Sequence, residues 1–356
     1  MEQPPIRKSS ATVADVARAA GVSKATAARV LGGYGTVSDK VRTLVLEAAA
    51  TLDYRPNELA RSMTTGRSGT IGVVVGDIEN PFFSSAVRGI ADVARMAGYT
   101  VILTNSGEDV AAEKAAVRAL LAKRVDGLII SAASTLDFEH LQEIRQSGCP
   151  LVLLDRALPA LGVDTVTTDD REAAQQATEI LIRNGHREIA YITACDTADH
   201  RMKSLDDLHT ASVRHRVEGF IAVCTAAGLP SPLEAVRLGA NGREKCEALA
   251  IDLLQSAHRP SAIIASDSLI ALEVFKVARH LGLSIPRDLS LIAFHDADWT
   301  AVTSPPITVI RQPVYHMGKT VAAHLMERIK GANHAARHVI LTTELIERSS
   351  IASRLS

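Results

Sequence analysis

From Thr70 onward the chain alternates short apolar runs with longer amphipathic stretches. The runs read TIGVVVGD, YTVILTN, VDGLIISA, CPLVLLDR, REIAYITA, SAIIASD and LSLIAFHD. None shows the strict apolar–polar alternation of a strand with one wet face. Strands apolar on both sides belong to parallel sheets whose crossover helices cover both faces. The alternation therefore predicts an α/β body, and its length of about 280 residues suffices for two lobes. Five runs end on a polar residue: Asp77, Asn105, Asp155, Asp267 and Asp296. Open α/β sheets bind ligands beyond the carboxyl ends of their strands. Those ends are the first place to look for a site.

The residues before Thr70 follow a different grammar. Three short helices are expected, over 13–20, 24–31 and 39–52, capped by Thr12, Ser23 and Ser38. Val16, Ala17, Ala20, Val22, Val30, Val41, Val45 and Ala49 could close one small core. Residues 1–68 hold 10 Lys+Arg against 6 Asp+Glu, and the remainder holds 29 against 34. A basic head on an acidic body points to nucleic acid at the head. Helix, turn, helix with Gly21 at the turn fits a DNA-binding motif. Lys24, Ala25 and Arg29 fall on one face of the second helix. Ser23 and Thr26 are short hydroxyl donors suited to phosphate, and an arginine at 29 can grip guanine through O6 and N7. An ordinary alanine-rich helical hairpin has the same spacing, so both readings stand on the residues alone.

The stretch YRPNELARSMTTGRSGT follows. Pro56 and Asn57 can start a helix, but one of fewer than two turns is unstable by itself. The domains expected are a DNA-binding head over 11–56, a hinge helix and linker over 57–69, and a two-lobe body over 70–356. The four cysteines are scattered without a C-x-x-C pair, which argues against a disulfide framework or a zinc site. The polar start MEQPPIRKSS, and the lack of an apolar run near the ~18 residues of a membrane helix, lead us to expect a cytoplasmic protein. No metal or cofactor is expected. A G-x-S-x-G elbow and a G-x-G-x-x-G after the first strand are both missing, which counts against an α/β enzyme.

TVADVARAAGVSKATAARVL resembles the head of the LacI/GalR family of bacterial transcription regulators. VSDKVRTLVLEAAATLDYRPNELARSM, SGTIGVVVGDIENPFFSSAVRGI, KRVDGLIIS, NGHREIAYI, RVEGF, IPRDLSLIAF and SPPITVIRQP carry the likeness through the body. The resemblance implies a helix-turn-helix domain, a hinge helix, and a periplasmic-binding-protein-like body of parallel sheets flanked by helices. It implies a homodimer on a palindromic double-stranded DNA operator. Lys24, Ala25 and Arg29 match base-reading positions, and Ser23 and Thr26 match phosphate contacts. Ala27 and Ala28 depart from the family's Val-Ser. In the hinge, Asn57 and Arg61 join the DNA contacts and Met63 takes the place of the apolar wedge between base pairs, a role open to methionine; packing as a plain linker residue is the other reading.

The resemblance also implies a small-molecule effector, a pentose-like sugar first and a purine or nucleoside second. Asn80 would bond a hydroxyl, with Phe82 and Phe83 presenting apolar faces; core packing of the two rings is the alternative. Asp155 and Arg156 would bracket vicinal hydroxyls, unless they form a surface ion pair. Arg216 matches the ligand arginine, with Arg214 as its neighbour. Ser266 stands where sugar binders often carry asparagine, and Asp267 is a candidate helix cap. Gln312 completes the set. His295 replaces the expected ligand aspartate, so an affinity that varies between about pH 5.5 and 7.5 is expected if it touches the effector. His186 is given a structural turn and no catalytic role. The ending IASRLS carries no heptad tail, so an appended tetramerisation helix is not expected. A free sugar-binding protein is the remaining alternative, and the head counts against it.

Overall fold

The computed structural model describes residues 11–54, 66–195 and 200–354. The chain divides into two compact units, Met1–Gly69 and Thr70–Ser356.

Among the described residues the first unit has three helices: α1 (Val13–Ala19), α2 (Lys24–Gly32) and α3 (Asp39–Thr51). Thr12 and Asp15 form a reciprocal capping box at the start of α1, which satisfies two backbone donors that a helix leaves unpaired. Gly21 turns the chain at φ +65°, a left-handed conformation that costs a glycine little. Ser23 caps α2 through the Thr26 amide. Ser38 occupies the cap position of α3, but its side chain makes no capping hydrogen bond, contrary to expectation. Val16, Ala17, Ala27, Val45 and Ala49 form the core, with Ala20, Val22, Val30 and Val41 packed at its margin.

The second unit holds two six-stranded sheets. The first lobe orders its strands as β11-β5-β4-β3-β1-β2, all parallel. They are β1 (Thr70–Val75), β2 (Thr100–Asn105), β3 (Leu128–Ile130), β4 (Leu151–Leu154), β5 (Asp164–Thr168) and β11 (His338–Leu341). The second lobe orders β12-β10-β9-β8-β6-β7. These are β6 (Ile189–Ile192), β7 (Val236–Arg237), β8 (Ala262–Ala265), β9 (Ser290–Phe294), β10 (Thr308–Arg311) and β12 (Glu344–Ile346). Here β12 runs antiparallel to β10, a departure from the all-parallel expectation. It enters this lobe from β11 by a two-residue link with no helix between them, whereas a parallel neighbour is usually reached by a crossover helix.

Helices cover both faces of each sheet. In the first lobe, α4 (Pro81–Met96) and α12 (Val314–Ile329) share one core, and α5 (Val110–Ala122) and α6 (Glu139–Gln146) another. In the second lobe, α7 (Asp170–Arg183) and α8 (Ala211–Ala226) cover one face, and α9 (Arg243–Gln255) and α10 (Ser268–His280) the other. The one-turn α11 (Asp298–Val302) follows β9. The chain passes between lobes three times, at 168–170, 311–314 and 341–344. All three leave from the carboxyl ends of strands, β5, β10 and β11.

Candidate functional site

In the first unit, Lys24, Ala25 and Arg29 of α2 are exposed and Thr26 and Ala28 are half-buried. Ala27 is fully buried in the head core. Its departure from valine is thus a packing matter, and only the change at 28 removes a hydroxyl near the outer face. The Ser23 and Thr26 hydroxyls bond one another at 2.8 Å. Asn57, Arg61 and Met63 lie outside the described residues.

In the second unit, the carboxyl ends of the strands of both lobes enclose a cavity of about 280 Å³. Asn80, Phe82, Phe83, Asp155, Arg156, Arg216, Ser266, His295 and Gln312 all line it. Arg214 does not; it pairs instead with Asp206 and Glu218.

Each wall side chain is set by its element. Asn80 caps α4 by accepting from the Phe82 amide at 3.0 Å, which leaves its amide nitrogen for a ligand. Phe82 and Phe83 meet edge to face at 5.2 Å and 89°. They belong to the first lobe's core as well as to the cavity wall, so the two readings of this pair combine. Asp155 and Arg156 are both buried, which rules out a surface ion pair.

Asp155 and His295 end the central strands β4 and β9 with φ of +68° and +69°. Non-glycine residues rarely adopt this conformation, although Asp and His tolerate it better than most. Such strain gathers where a side chain must be aimed at a ligand. Across the cleft, the Ser212 hydroxyl donates to Asp155 Oδ2 at 3.0 Å. The Thr135 amide donates to the His209 carbonyl at 2.7 Å. The Phe82 and His295 rings stand 6.2 Å apart at 79°.

Both cavity guanidiniums are paired. Arg156 grips Glu108 with two bonds of 2.5 and 2.7 Å, and also donates to the Ala132 carbonyl. Arg216 donates to Asp170 at 2.6 Å and to the Ser266 carbonyl at 2.9 Å, and lies over the Phe294 ring. Burial works against the charge on Arg216, but the Asp170 and Asp155 carboxylates overcome it and raise its pKa. The Thr168 hydroxyl donates to the same Asp170 oxygen, and Gln312 reaches Thr168 at 3.5 Å. The cavity-lining Arg216 is thus wired to two of the three inter-lobe passes. Burial lowers the His295 pKa; Asp296 opposes this and Arg216 adds to it. The ring is therefore neutral near pH 7, and the part of the expected pH window above the free-histidine value of 6.5 is corrected downward.

Of the polar strand ends, Asp77, Asn105 and Asp296 shape loops instead of lining the cavity. Asp77 accepts from the Glu79 amide and Asn105 from the Ile78 amide. Asp296 anchors Arg348, Arg311 and Thr300. Asp267 lines the cavity while capping α10 through the Leu269 and Ile270 amides. His186 bonds Ser261 and the Ala352 carbonyl away from the cavity.

Sequence reasoning missed Glu108, Asp170 and Ser212. Ser212 had a usable signal, since it sits four residues before Arg216 on one helix face. Glu108 and Asp170 owe their positions to a turn and to a partner brought from another element. Among the described residues no group of His, Cys, Asp or Glu could hold a metal ion. No described helix is long and apolar enough to cross a membrane.

Comparison with known proteins extends these observations to the whole chain. Residues 12–57 match the family model described as bacterial regulatory proteins, lacI family. Residues 68–349 match that of periplasmic binding proteins and sugar binding domain of LacI family. Catabolite control protein A of Priestia megaterium is 32% identical over 319 residues, covering 89% of this chain and 92% of that protein. The HTH-type transcriptional repressor PurR of Aliivibrio fischeri (strain MJ11) is 32% identical over 351 residues, covering 97% and 99%. The lac repressor dimer solved with operator and the anti-inducer ONPF superposes with a TM-score of 0.81 at 26% identity, covering 96% and 99%. The protein is accordingly a DNA-binding transcription regulator with a small-molecule effector, and not an enzyme. The chain belongs to the LacI family of bacterial regulatory proteins.

Proposed function

We propose that this regulator represses a sugar-utilisation operon and is controlled by a small, pentose-like sugar held between its lobes. One observation carries the reading. Asp155 Oδ1, Arg156 Nε, Thr193 Oγ1 and His295 Nδ1 are buried without a hydrogen-bond partner, and all four residues line one cavity. Two belong to each lobe. A buried polar atom left unpaired costs about 1–3 kcal/mol. The set mixes donors, acceptors and groups that can be either. A hydroxyl is both donor and acceptor, so a ring carrying several of them can serve all four atoms and bridge the lobes. The volume of about 280 Å³ lies just below the ~300–1,000 Å³ of drug-sized ligand sites, which suits a small ligand.

A purine or nucleoside is the second reading. A flat base favours parallel aromatic faces, whereas the rings here meet at 89° and 79°, which weighs toward the sugar. On the DNA side, we assign base contacts to Lys24, Ala25 and Arg29 and phosphate contacts to Ser23 and Thr26. The hinge residues Asn57, Arg61 and Met63 then act in the minor groove. A homodimer would place two α2 helices in successive major grooves of a palindromic site.

The test is a thermal-shift screen of pentoses, hexoses, sugar acids, polyols, nucleobases and nucleosides. A ligand at about a hundred times its Kd should raise the melting temperature by on the order of 5 °C. A shift with a pentose supports the reading. A shift with a nucleobase or nucleoside and with no sugar overturns it.

A further inference from the structure

We propose that Glu108 is a specificity-determining residue, reserving the cavity for neutral polyhydroxylated ligands and excluding their carboxylate and phosphate analogues. The proposal rests on the sugar reading above and sharpens it to one class.

A buried arginine with its fork toward a cavity is how a protein seizes an acidic ligand. Arg156 has the burial and the position, lying 5.8 Å from the Phe83 ring. Both of its terminal nitrogens are nevertheless taken by Glu108. The fold goes to some length to put that carboxylate there. After β2 the chain passes through two successive left-handed residues, Gly107 at φ +62° and Glu108 at +63°. A glutamate rarely adopts this backbone, and a residue held in it marks a conformation imposed by its surroundings.

The turn throws the side chain back over the end of β1, where Gly76 leaves room for it. A Cβ at position 76 would lie 1.9 Å from Glu108 Oε1, so no other residue fits there unless the carboxylate moves. The second lobe repeats the arrangement, with Asp170 matched to Arg216. A third carboxylate, Asp155, lines the cavity, and one of its oxygens is buried without a partner. Asp267 lines the cavity too, so an incoming anion meets three lining carboxylates, Glu108, Asp155 and Asp267, and two guanidiniums already matched, Arg216 by Asp170 behind it. To be bound by Arg156 it must break a partly buried, two-bond ion pair and leave Glu108 uncompensated. A hydroxyl faces no such penalty.

The experiment is calorimetric titration of wild type, Glu108→Gln and Glu108→Ala with matched neutral and acidic probes, D-ribose with D-ribonate and D-glucose with D-gluconate. Removing the charge should raise affinity for at least one acid by about tenfold or more, with no matching gain for its neutral partner. Inorganic phosphate should likewise raise the melting temperature of the variants and not that of wild type. The alanine variant decides the matter if the glutamine variant does not fold. The proposal is overturned if wild type binds an acid more tightly than its neutral partner, or if neither variant gains for any acid. Failure of wild type to bind either sugar would count against the pentose reading alone, because the acid gain in the variants is read separately.

Discussion

At position 295 a single side chain departs from what the family resemblance leads one to expect of this cavity. A histidine stands where the resemblance implies an aspartate, in the same left-handed backbone state as Asp155. Burial depresses its pKa below 6.5, so the sign of its linkage is fixed. A folded-state histidine with a lowered pKa stays neutral while its unfolded counterpart protonates, and its contribution is lost as pH falls below the unfolded value. If Nδ1 meets the effector, affinity should hold level from about pH 8 to about 6.5 and change only below that. Titrations at several pH values, with His295→Asn as the non-titrating control, check this. Equal pH dependence in both proteins would remove His295 from the contact set. The histidine was visible in the sequence as a departure from the family pattern. The direction of its shift was not, because burial and the Arg216 charge come from elements far away in the chain.

At the scale of elements, the legible parts were strands with two covered faces and helices with side-chain caps. Apolar runs such as those of β1 and β8 announce themselves. The run DTVTT of β5 does not, because its threonines are buried by neighbours and not by their own hydrophobicity. The two-residue β7 and the edge strands β11 and β12 are likewise too short or too polar to stand out. Asp164 shows how β5 is held in place. Its carboxylate, fully buried at the strand's start, takes two bonds from Arg328 at the end of α12 and one from the Arg337 amide before β11. Burial pushes the carboxyl up, but Arg328 and Arg337 prevail and hold it at about 2. A depressed carboxylate lends stability above its unfolded pKa and withdraws it as pH falls through the folded one. Acid unfolding should therefore steepen between about pH 4 and 2. Asp164→Asn should be less stable at neutral pH and lack that component, as seen in melting temperature against pH.

The molecule as a whole joins two binding events, and its charge is divided to suit them. With 10 basic against 6 acidic residues in the first 68, the head should be retained by generic double-stranded DNA at low salt and released as salt rises, with log affinity falling linearly in log salt. Retention indifferent to salt would mean the basic residues do not meet phosphate. Effector and operator must also influence one another reciprocally, since coupling between equilibria is symmetric. The network from Arg216 through Asp170 and Thr168 to Gln312 is where an effector's grip can reach the inter-lobe passes. That network was illegible in the sequence, because its members are far apart and meet only where two of the three inter-lobe passes lie side by side.

The threefold passage between lobes has a consequence for the birth of the protein. The first lobe takes α12 and β11 from the last part of the chain, and Met317, Val321 and Leu325 of α12 sit in its core. Neither lobe is a contiguous segment. On the ribosome, where chains emerge at about 5–20 residues per second, the head has all its helices well before the body can close. A nascent chain halted short of Val314 would expose the apolar face that α12 covers, so protein quality control meets an unfinished first lobe until that helix has been made.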